Sequence, residues 1–201
     1  MKPTEIYLAD DPDALPALRR AIADGQAVGL PTDTVYVLAV DPTAAGASDR
    51  LFALLRRTRD RDLTAIVASV DQALEVATAI TPAARRLMES FWPGPLTLVL
   101  PRDPESPADL GDDELTVGVR LPGHPVTAAL CAEIGPLAAA TMADLETADD
   151  LADAYDGLVP VILDGGPCVG PPSTVVDATG EEPHLIREGR LPWAAVTAAL
   201  H

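Results

Sequence analysis

A short apolar segment that runs directly into a polar turn constrains the fold of this chain more than any other part of the sequence. Residues 27–30 suit one buried strand, and Pro31 can end it because proline has no N–H for a sheet hydrogen bond. Thr32, Asp33 and Thr34 follow, and such side chains bond to local backbone and hold irregular loops. A polar loop at a strand end is a usual ligand position in α/β proteins. The segment predicts a sheet-based domain whose loop is either a ligand site or a simple Thr/Asp turn.

The hydrophobic pattern of the rest of the chain switches irregularly between helical and strand spacing. Helices are predicted at residues 13–24, 48–57, 71–79, 82–91, 125–133, 149–155 and 193–200. Strands are predicted at residues 27–30, 36–40, 64–69, 96–100, 115–121, 137–140, 160–163, 174–177 and 184–187. Thr81 and Pro82 match a helix N-cap and first position. This order favours an α/β fold with a twisted mixed sheet and flanking helices rather than strict βαβ repeats.

Two acidic stretches interrupt this pattern. Residues 101–114 are rich in proline, glycine and acid, and they predict a mobile surface loop rather than a linker between domains. Residues 144–156 carry six carboxylates and predict a solvated helical face. We therefore expect residues 1–201 to form a single domain.

The chain is strongly acidic, with a formal net charge of −17. This charge argues against duplex RNA binding, because it repels phosphates at long range. Four arginines nevertheless fall between residues 56 and 61, so a local positive site for a small anion is expected inside an acidic shell. Aromatic residues make up only 3% of the chain, so the core must be built mainly from alanine, valine and leucine.

Targeting and redox features point to the cytoplasm. No apolar run approaches the roughly 18 residues of a membrane span, and the first residues do not resemble a signal peptide. Cys131 and Cys168 are too few for a zinc site or disulfide framework, and they predict buried thiols in a reducing compartment.

Five short motifs occur in a characteristic order. They are PTDTVY (31–36), WPGPLT (92–97), VRLPGHP (119–125), PSTVVD (172–177) and REG (187–189). In order and spacing they resemble the YrdC-like family, which includes the threonylcarbamoyl-AMP synthases, over about residues 12–190. The resemblance implies a single YrdC-like α/β domain whose open curved sheet forms a concave ligand cleft. It also implies that the additional C-terminal domain of longer members is absent.

The resemblance implies nucleotidyltransferase chemistry. Such synthases join L-threonine, bicarbonate and ATP into threonylcarbamoyl-AMP and pyrophosphate, for modification of tRNA. ATP would be a substrate accompanied by Mg²⁺, with no tightly bound cofactor and no metal held by the protein. Proteins of tRNA modification would be the partners.

The resemblance also implies individual site residues. Arg57 matches the arginine of the family's Lys-x-Arg element, and Arg57 and Thr34 are the candidate catalytic residues. The implied substrate contacts are Thr34, Tyr36, Arg57, His124 and Thr141. The implied nucleotide contacts are Pro122, Thr141, Ser173 and Arg187.

Three residues of these motifs can have a purely structural role instead of a role in ligand binding. His124 can be a helix cap or a packed surface residue, Arg120 a structural ion-pair partner, and Asp33 a residue that only fixes its loop. We expect a locally positive cleft formed by Arg57, Arg59, Arg120 and Arg187.

Three positions depart from the family pattern. Leu55 stands where the Lys-x-Arg element has its lysine, which removes a positive charge. Arg56 and Arg59 are the neighbouring cations that can reach in, but neither replaces a lysine in geometry. The family's Ser-Ala-Asn segment is Thr141-Met142-Ala143 here, so a hydroxyl is kept and an amide is lost. Val37 replaces the glycine that follows the family's tyrosine.

These departures leave three hypotheses open. The first is an active threonylcarbamoyl-AMP synthase with a rearranged site. The second is a diverged paralogue that binds a nucleotide or small anion without this synthase activity, or that uses another acceptor. The third is an RNA-binding or protein-interaction module, whose RNA form is disfavoured by the acidic charge.

Overall fold

The computed structural model describes residues 3–142 and 144–200, which build one ten-stranded sheet with helices on both faces. The strands are β1 (Glu5–Leu8), β2 (Val28–Leu30), β3 (Tyr36–Val40), β4 (Thr64–Ile66), β5 (Leu96–Pro101), β6 (Thr116–Arg120), β7 (Leu137–Met142), β8 (Val161–Asp164), β9 (Thr174–Asp177) and β10 (His184–Arg187). The helices are α1 (Ala14–Ala23), α2 (Ala47–Leu54), α3 (Val70–Ala73), α4 (Pro82–Phe91), α5 (Pro125–Ile134), α6 (Ala148–Tyr155) and α7 (Trp193–Ala198).

The sheet is mixed, and its strand order is β1-β8-β2-β3-β7-β4-β6-β5-β9-β10. β1, β2, β4 and β5 each make a parallel pair, with β8, β8, β6 and β9 respectively. β3 pairs antiparallel with both of its neighbours, β2 and β7. The irregular alternation of strands and helices in the sequence is thus accounted for, and the prediction of a twisted mixed α/β sheet is confirmed.

The centre of the sheet is buried on both faces, which explains why the sequence of β3 is continuously apolar. Tyr36, Leu38 and Val40 point into one hydrophobic cluster, whereas Val37 and Ala39 point into the other. This alternation is the two-residue period of a strand. Both faces therefore need small or aliphatic side chains, in agreement with the scarcity of aromatic residues.

Most of the predicted elements occur, and the exceptions have local reasons. β1 was not predicted, because three of its four residues are exposed at the sheet edge and give no apolar pattern. The predicted helix at 71–79 is wrong beyond α3, since Ala77 forms a bridge with Arg102 and Thr78 N donates to Pro101 O. The predicted helix at 48–57 ends at Leu54, and the predicted strand at 64–69 ends at Ile66.

The prediction of a mobile loop at residues 101–114 is also wrong, because this segment packs against the core. Ala108 and Leu110 are buried, and Leu110 O accepts a 2.7 Å hydrogen bond from Leu63 N. Arg102 Nη2 donates to Ala108 O at 2.6 Å from the start of the loop. In contrast, the acidic face predicted for residues 144–156 is found on α6, where Asp149, Asp150 and Asp153 are exposed.

No helix in the described ranges combines the length and the apolar character needed to cross a bilayer.

The N-cap of α4 offers a test of the local structure. Thr81 Oγ1 accepts a 3.0 Å hydrogen bond from Ala84 N, with Pro82 at the first helical position. Thr81→Ala should lower the free energy of unfolding by about 1 kcal/mol, because one N–H at the helix start loses its partner. Thr81→Ser keeps the hydroxyl and serves as the matched control in urea denaturation. Equal stability of the alanine variant and the unmodified chain would contradict this assignment.

Candidate functional site

A cleft of about 1040 Å³ opens over one face of the sheet. Its floor consists of side chains at every second position of successive strands, as the strand period requires. These floor residues are Val37, Thr64, Ile66, Thr97, Val99, Thr116, Gly118, Ala139, Thr141, Ser173 and Val175. Most of them are small or carry a hydroxyl group. The floor therefore leaves room for a ligand and offers hydrogen-bonding groups.

One wall of the cleft is the segment that follows α2. The helix ends at Leu54, and Arg56 adopts a left-handed conformation with a φ of 50°. This reversal lets Arg57 N donate to Phe52 O at 2.9 Å and brings residues 55–58 and 61–63 to the cleft. Tyr155 at the end of α6 also lines the cleft, and its hydroxyl lies 3.7 Å from Met142 Sδ.

The cleft is positively charged although the chain is acidic. Five arginines line it, namely Arg56, Arg57, Arg61, Arg120 and Arg187, together with two aspartates, Asp62 and Asp144. Arg61 was not among the site residues inferred from the sequence, and Arg56 was named there only as a neighbour of the missing lysine. The sequence signal for these two residues is the presence of four arginines between residues 56 and 61. The cleft therefore suits a small anionic ligand.

Four of the predicted site residues line this cleft together: Arg57, Thr141, Ser173 and Arg187. Thr141 on β7 faces Val37 on β3 across the strand pair. Ser173 Oγ lies 2.8 Å from Thr97 Oγ1, and Arg187 Nη2 donates to Ser173 O at 3.0 Å. The sheet therefore brings together side chains that are far apart in the sequence.

Thr34 and Tyr36 are not on the cleft surface, so the prediction that they line it is wrong. Both are fully buried. The Tyr36 hydroxyl donates to Gly166 O at 3.0 Å, and burial raises the pKa of Tyr36. Thr32 lines the cleft instead, and its hydroxyl accepts bonds from the N–H groups of Thr34 and Val35 at 3.1 Å. Motif resemblance alone did not distinguish Thr32 from its neighbours.

Arg120 is a buried ion-pair partner as well as a residue of the cleft. Its side chain is 6% exposed, and Nη2 lies 2.7 Å from Asp33 Oδ1. Nη1 donates to Thr34 Oγ1 at 2.8 Å, and Nε donates to Gly94 O at 3.1 Å. The same Asp33 oxygen accepts a 2.7 Å bond from Gly123 N. Burial lowers the pKa of Arg120, and Asp33 opposes this shift. Both structural alternatives, an ion pair for Arg120 and a loop-fixing role for Asp33, are present here.

His124 and Pro122 lie outside the set of residues that line the cleft. The His124 ring lies beside Gly165, where an added Cβ atom would come within 2.5 Å of His124 Nε2 and 2.7 Å of Pro31 Cγ. His124 Nδ1 is 3.5 Å from Thr127 Oγ1. Burial lowers the pKa of His124, and Asp33 partly offsets that effect. His124 is therefore a packed residue, which is one of the two structural alternatives given for it above.

Arg59 does not contribute to the cleft, so its predicted place there is wrong. Its guanidinium group forms ion pairs with three carboxylates, Asp49 at 2.6 Å, Asp109 at 2.5 Å and Asp112 at 3.0 Å. It also lies over the Phe52 ring, 5.0 Å from the centroid. The hydrogen bonds with Asp109, followed by those with Asp112, raise the pKa of Arg59. Arg59 thus attaches α2 to the acidic loop and is not among the residues that line the cleft.

Two of the three departures from the family pattern lie in the cleft. Leu55 is half-buried in its wall, and Val37 forms part of its floor. Ala143 lies outside the described residues, so only its neighbours Thr141 and Met142 are located in the cleft. An aliphatic side chain therefore occupies the wall where the motif has a lysine.

Most of the chain matches one known protein family. The Sua5/YciO/YrdC family model, described as telomere recombination, matches residues 20–189.

The chain belongs to the Sua5/YciO/YrdC family.

Curated members of this family resemble the chain over most of its length. A putative threonylcarbamoyl-AMP synthase of Mycobacterium tuberculosis is 36% identical over 186 residues, which are 90% of this chain and 86% of that protein. The threonylcarbamoyl-AMP synthase of Pyrococcus abyssi is 35% identical over 85% of this chain. The matched region spans 52% of that archaeal protein.

Solved structures of Sua5/YciO/YrdC proteins share the fold. P. abyssi Sua5 complexed with L-threonine superposes with a TM-score of 0.84 at 31% identity, covering 98% of this chain and 61% of that one. E. coli YciO has a TM-score of 0.84 at 22% identity, covering 94% and 97% of the two chains. The latter similarity concerns the fold alone. The predicted YrdC-like architecture is thus confirmed.

The two cysteines are free and buried, as predicted. Burial raises the pKa of Cys131 to about 12. Cys168 Sγ donates to Thr32 O at 3.3 Å, and burial also raises the pKa of its thiol. Neither thiol is therefore activated as a nucleophile.

The Arg120–Asp33 pair generates a stability prediction. Arg120→Met should lower the free energy of unfolding by about 3–5 kcal/mol, because it leaves the Asp33 carboxylate largely buried without its counter-charge. Arg120→Met combined with Asp33→Asn should recover part of this loss, since no unpaired charge remains. Arg86→Met, at an exposed position of α4, is the control in urea denaturation. A loss in the Arg120→Met chain no larger than that of the control would refute the structural role.

Proposed function

We propose that this chain joins L-threonine, bicarbonate and ATP to form threonylcarbamoyl-AMP and pyrophosphate for tRNA modification. The names of its relatives support this proposal, as does the P. abyssi Sua5 structure complexed with L-threonine. The observation that carries it is the meeting of Arg57, Thr141, Ser173 and Arg187 in one positively charged cleft. These four positions match separate motifs of the family.

The proposed reaction brings several anions together. The threonine amine combines with bicarbonate to give a carbamate and water, and a carbamate oxygen then forms a bond to the α-phosphorus of ATP. The bond from that phosphorus to the bridging β-oxygen breaks, and pyrophosphate leaves with the electron pair. Preorganised positive charge and N–H donors reduce the repulsion between these groups and stabilise the charge that develops.

Ser173 and Arg187 are proposed to bind the nucleotide. Arg187 Nη2 already bonds to Ser173 O, which fixes the guanidinium group and leaves other donors for a phosphate or ribose oxygen. Ser173 Oγ is held by Thr97 Oγ1 at the cleft surface. Thr141 offers a hydroxyl to either substrate from the neighbouring part of the floor.

Residues behind the cleft surface are proposed to act by positioning. Thr34 holds Arg120, and Tyr36 holds the backbone at Gly166. We assign the same indirect role to Pro122 and His124, because neither is among the residues that line the cleft. Arg57 is the residue proposed to contact the reacting phosphates.

Mg²⁺ is proposed to enter with ATP and to neutralise part of the triphosphate charge. No group of three or more His, Cys, Asp and Glu side chains suited to a metal ion occurs within residues 3–142 and 144–200. The carboxylates among the residues lining the cleft are Asp62 and Asp144. This donor set does not fit a resident metal, so the ion is assigned to the nucleotide.

We also propose a cytoplasmic location, because both cysteines are free thiols suited to a reducing compartment. Proteins of the tRNA-modification machinery are the proposed partners, since threonylcarbamoyl-AMP must be passed to a tRNA-modifying step.

A second candidate is a nucleotide-binding paralogue without synthase activity. The position of Leu55 favours it, because an uncharged side chain occupies the cleft wall where the motif has a lysine. The Ser173 and Arg187 side of the cleft keeps its polar groups. Such a protein would bind ATP without coupling it to threonine.

Pyrophosphate release separates the two candidates. The unmodified chain should release pyrophosphate from ATP only when threonine and bicarbonate are both present. Arg57→Ala should lower kcat/KM by roughly 10²-fold or more, the usual effect of removing one charge-stabilising donor. Arg86→Ala, on the exposed face of α4, should not change it.

The second candidate, a paralogue without synthase activity, predicts a different result in the same assay. The unmodified chain would bind ATP in calorimetry and release no pyrophosphate. Leu55→Lys together with Ala143→Asn would then create measurable turnover, because a positive charge and an amide return. That pair of results would refute the synthase proposal. Leu55→Lys alone should do less, because the amide at position 143 is still absent.

The third hypothesis is tested by nucleic-acid binding. Fluorescence anisotropy at low salt should detect no duplex RNA binding, because the net charge of −17 repels a polyanion before it reaches the cleft. Pyrophosphate, a small anion, should compete with ATP under the same conditions. Tight, salt-sensitive binding of duplex RNA would contradict this expectation.

A further inference from the structure

The segment 55–62, which we call the arginine turn, carries three of the five cleft arginines. It leaves α2 through the left-handed Arg56, and Arg61 N donates to Thr58 O at 3.2 Å. The turn is therefore a defined structure. Its side chains nevertheless differ sharply in what they contact.

Arg57 has a donor without a protein partner. Its Nη2 bonds to Asp62 O at 3.2 Å, whereas its Nε is buried and has no hydrogen-bond partner in the described part of the chain. A buried donor on a charged group is unfavourable when it is left unpaired. Arg57 also lines the cleft and has no carboxylate partner among the described residues, so its charge is left for an anionic ligand.

Arg61 adds a second positive charge to the same part of the cleft. It is exposed and lines the same cleft as Arg57. Burial, followed by the charge of Arg61, lowers the pKa of Arg57, and the neighbouring Asp62 and Asp60 oppose this only in part. Neither arginine forms an ion pair with a carboxylate across the described residues, unlike Arg59, which has three such partners.

We propose that Arg61 acts with Arg57 as a phosphate-binding pair, and that Arg61 supplies the positive charge that Leu55 lacks. This inference rests on the proposed function, which identifies the ligand as ATP. A phosphate group between the two guanidinium groups would reduce their repulsion and accept N–H bonds from both. The pair holds the β- and γ-phosphates, which leave as pyrophosphate when the carbamate oxygen bonds to the α-phosphorus.

Calorimetric titrations of the full chain with pyrophosphate, ATP and AMP test this proposal. Arg61→Ala should weaken the binding of pyrophosphate and of ATP by roughly tenfold to a hundredfold, the range for one charge-assisted hydrogen bond. AMP affinity should not change, because AMP has no β- or γ-phosphate. A general loss of structure would instead weaken all three ligands.

Two further variants make the test specific. Arg86→Ala removes an arginine from the exposed face of α4 and should leave all three affinities unchanged. Leu55→Lys added to Arg61→Ala should restore much of the lost pyrophosphate affinity, because a positive charge returns to the same wall. Thermal unfolding of each variant checks that the fold is kept, and Arg61→Gln is used where the alanine variant unfolds.

The outcomes separate this inference from the proposed function. Pyrophosphate binding that depends on Arg61 supports the inference even where threonine causes no turnover, and the synthase proposal then fails alone. Equal pyrophosphate affinity of the Arg61→Ala and unmodified chains overturns the inference, even where turnover is robust. Equal losses for AMP and ATP, or failure of Leu55→Lys to restore binding, also overturn it.

Discussion

The buried guanidinium group of Arg120 holds together the segments from which the cleft is built. Its three nitrogen atoms bond to Gly94, Thr34 and Asp33, and so join the turn before β5 to the loop after β2. Because the guanidinium group is planar and rigid, these contacts fix the relative positions of the loops. A charge buried to this degree is tolerated only while its partners stay in place. The position of Thr32 in the cleft therefore depends on the Arg120–Asp33 ion pair.

The cleft combines a rigid floor with charge supplied from its edges. Alternate residues of the central strands form the floor, and their small or hydroxyl-bearing side chains keep the sheet face open. The positive charges come from the arginine turn on one side and from Arg120 and Arg187 on the other. Around this cleft the chain is strongly acidic. Such a distribution favours small anions over long polyanions, since the outer field repels the latter.

The sequence predicts most of the strands of this fold, but not all of their bounds. β3, β9 and β10 occur at their predicted residues, β4 is shorter than predicted, and β1 is missed because three of its four residues are exposed and give no apolar pattern. Motifs predicted which loops meet at the cleft. They did not predict that Thr32 faces the ligand space while Thr34 and Tyr36 face the protein, which depends on contacts with distant segments. Arg59 likewise turns away because the acidic loop, some fifty residues later, supplies its carboxylates.

The arginine turn has a consequence for how this protein can diverge. Its residues belong to neither a helix nor a strand, and several of its side chains are exposed. Substitutions at its exposed cleft residues, Arg56 and Arg61, change the charge of the cleft without repacking the sheet, whereas substitutions on the floor disturb neighbours on two strands. A lineage can therefore lose a lysine at one site of the turn and recover its charge at another through small, nearly neutral steps. Phosphate affinity in such a cleft evolves separately from the stability of the fold.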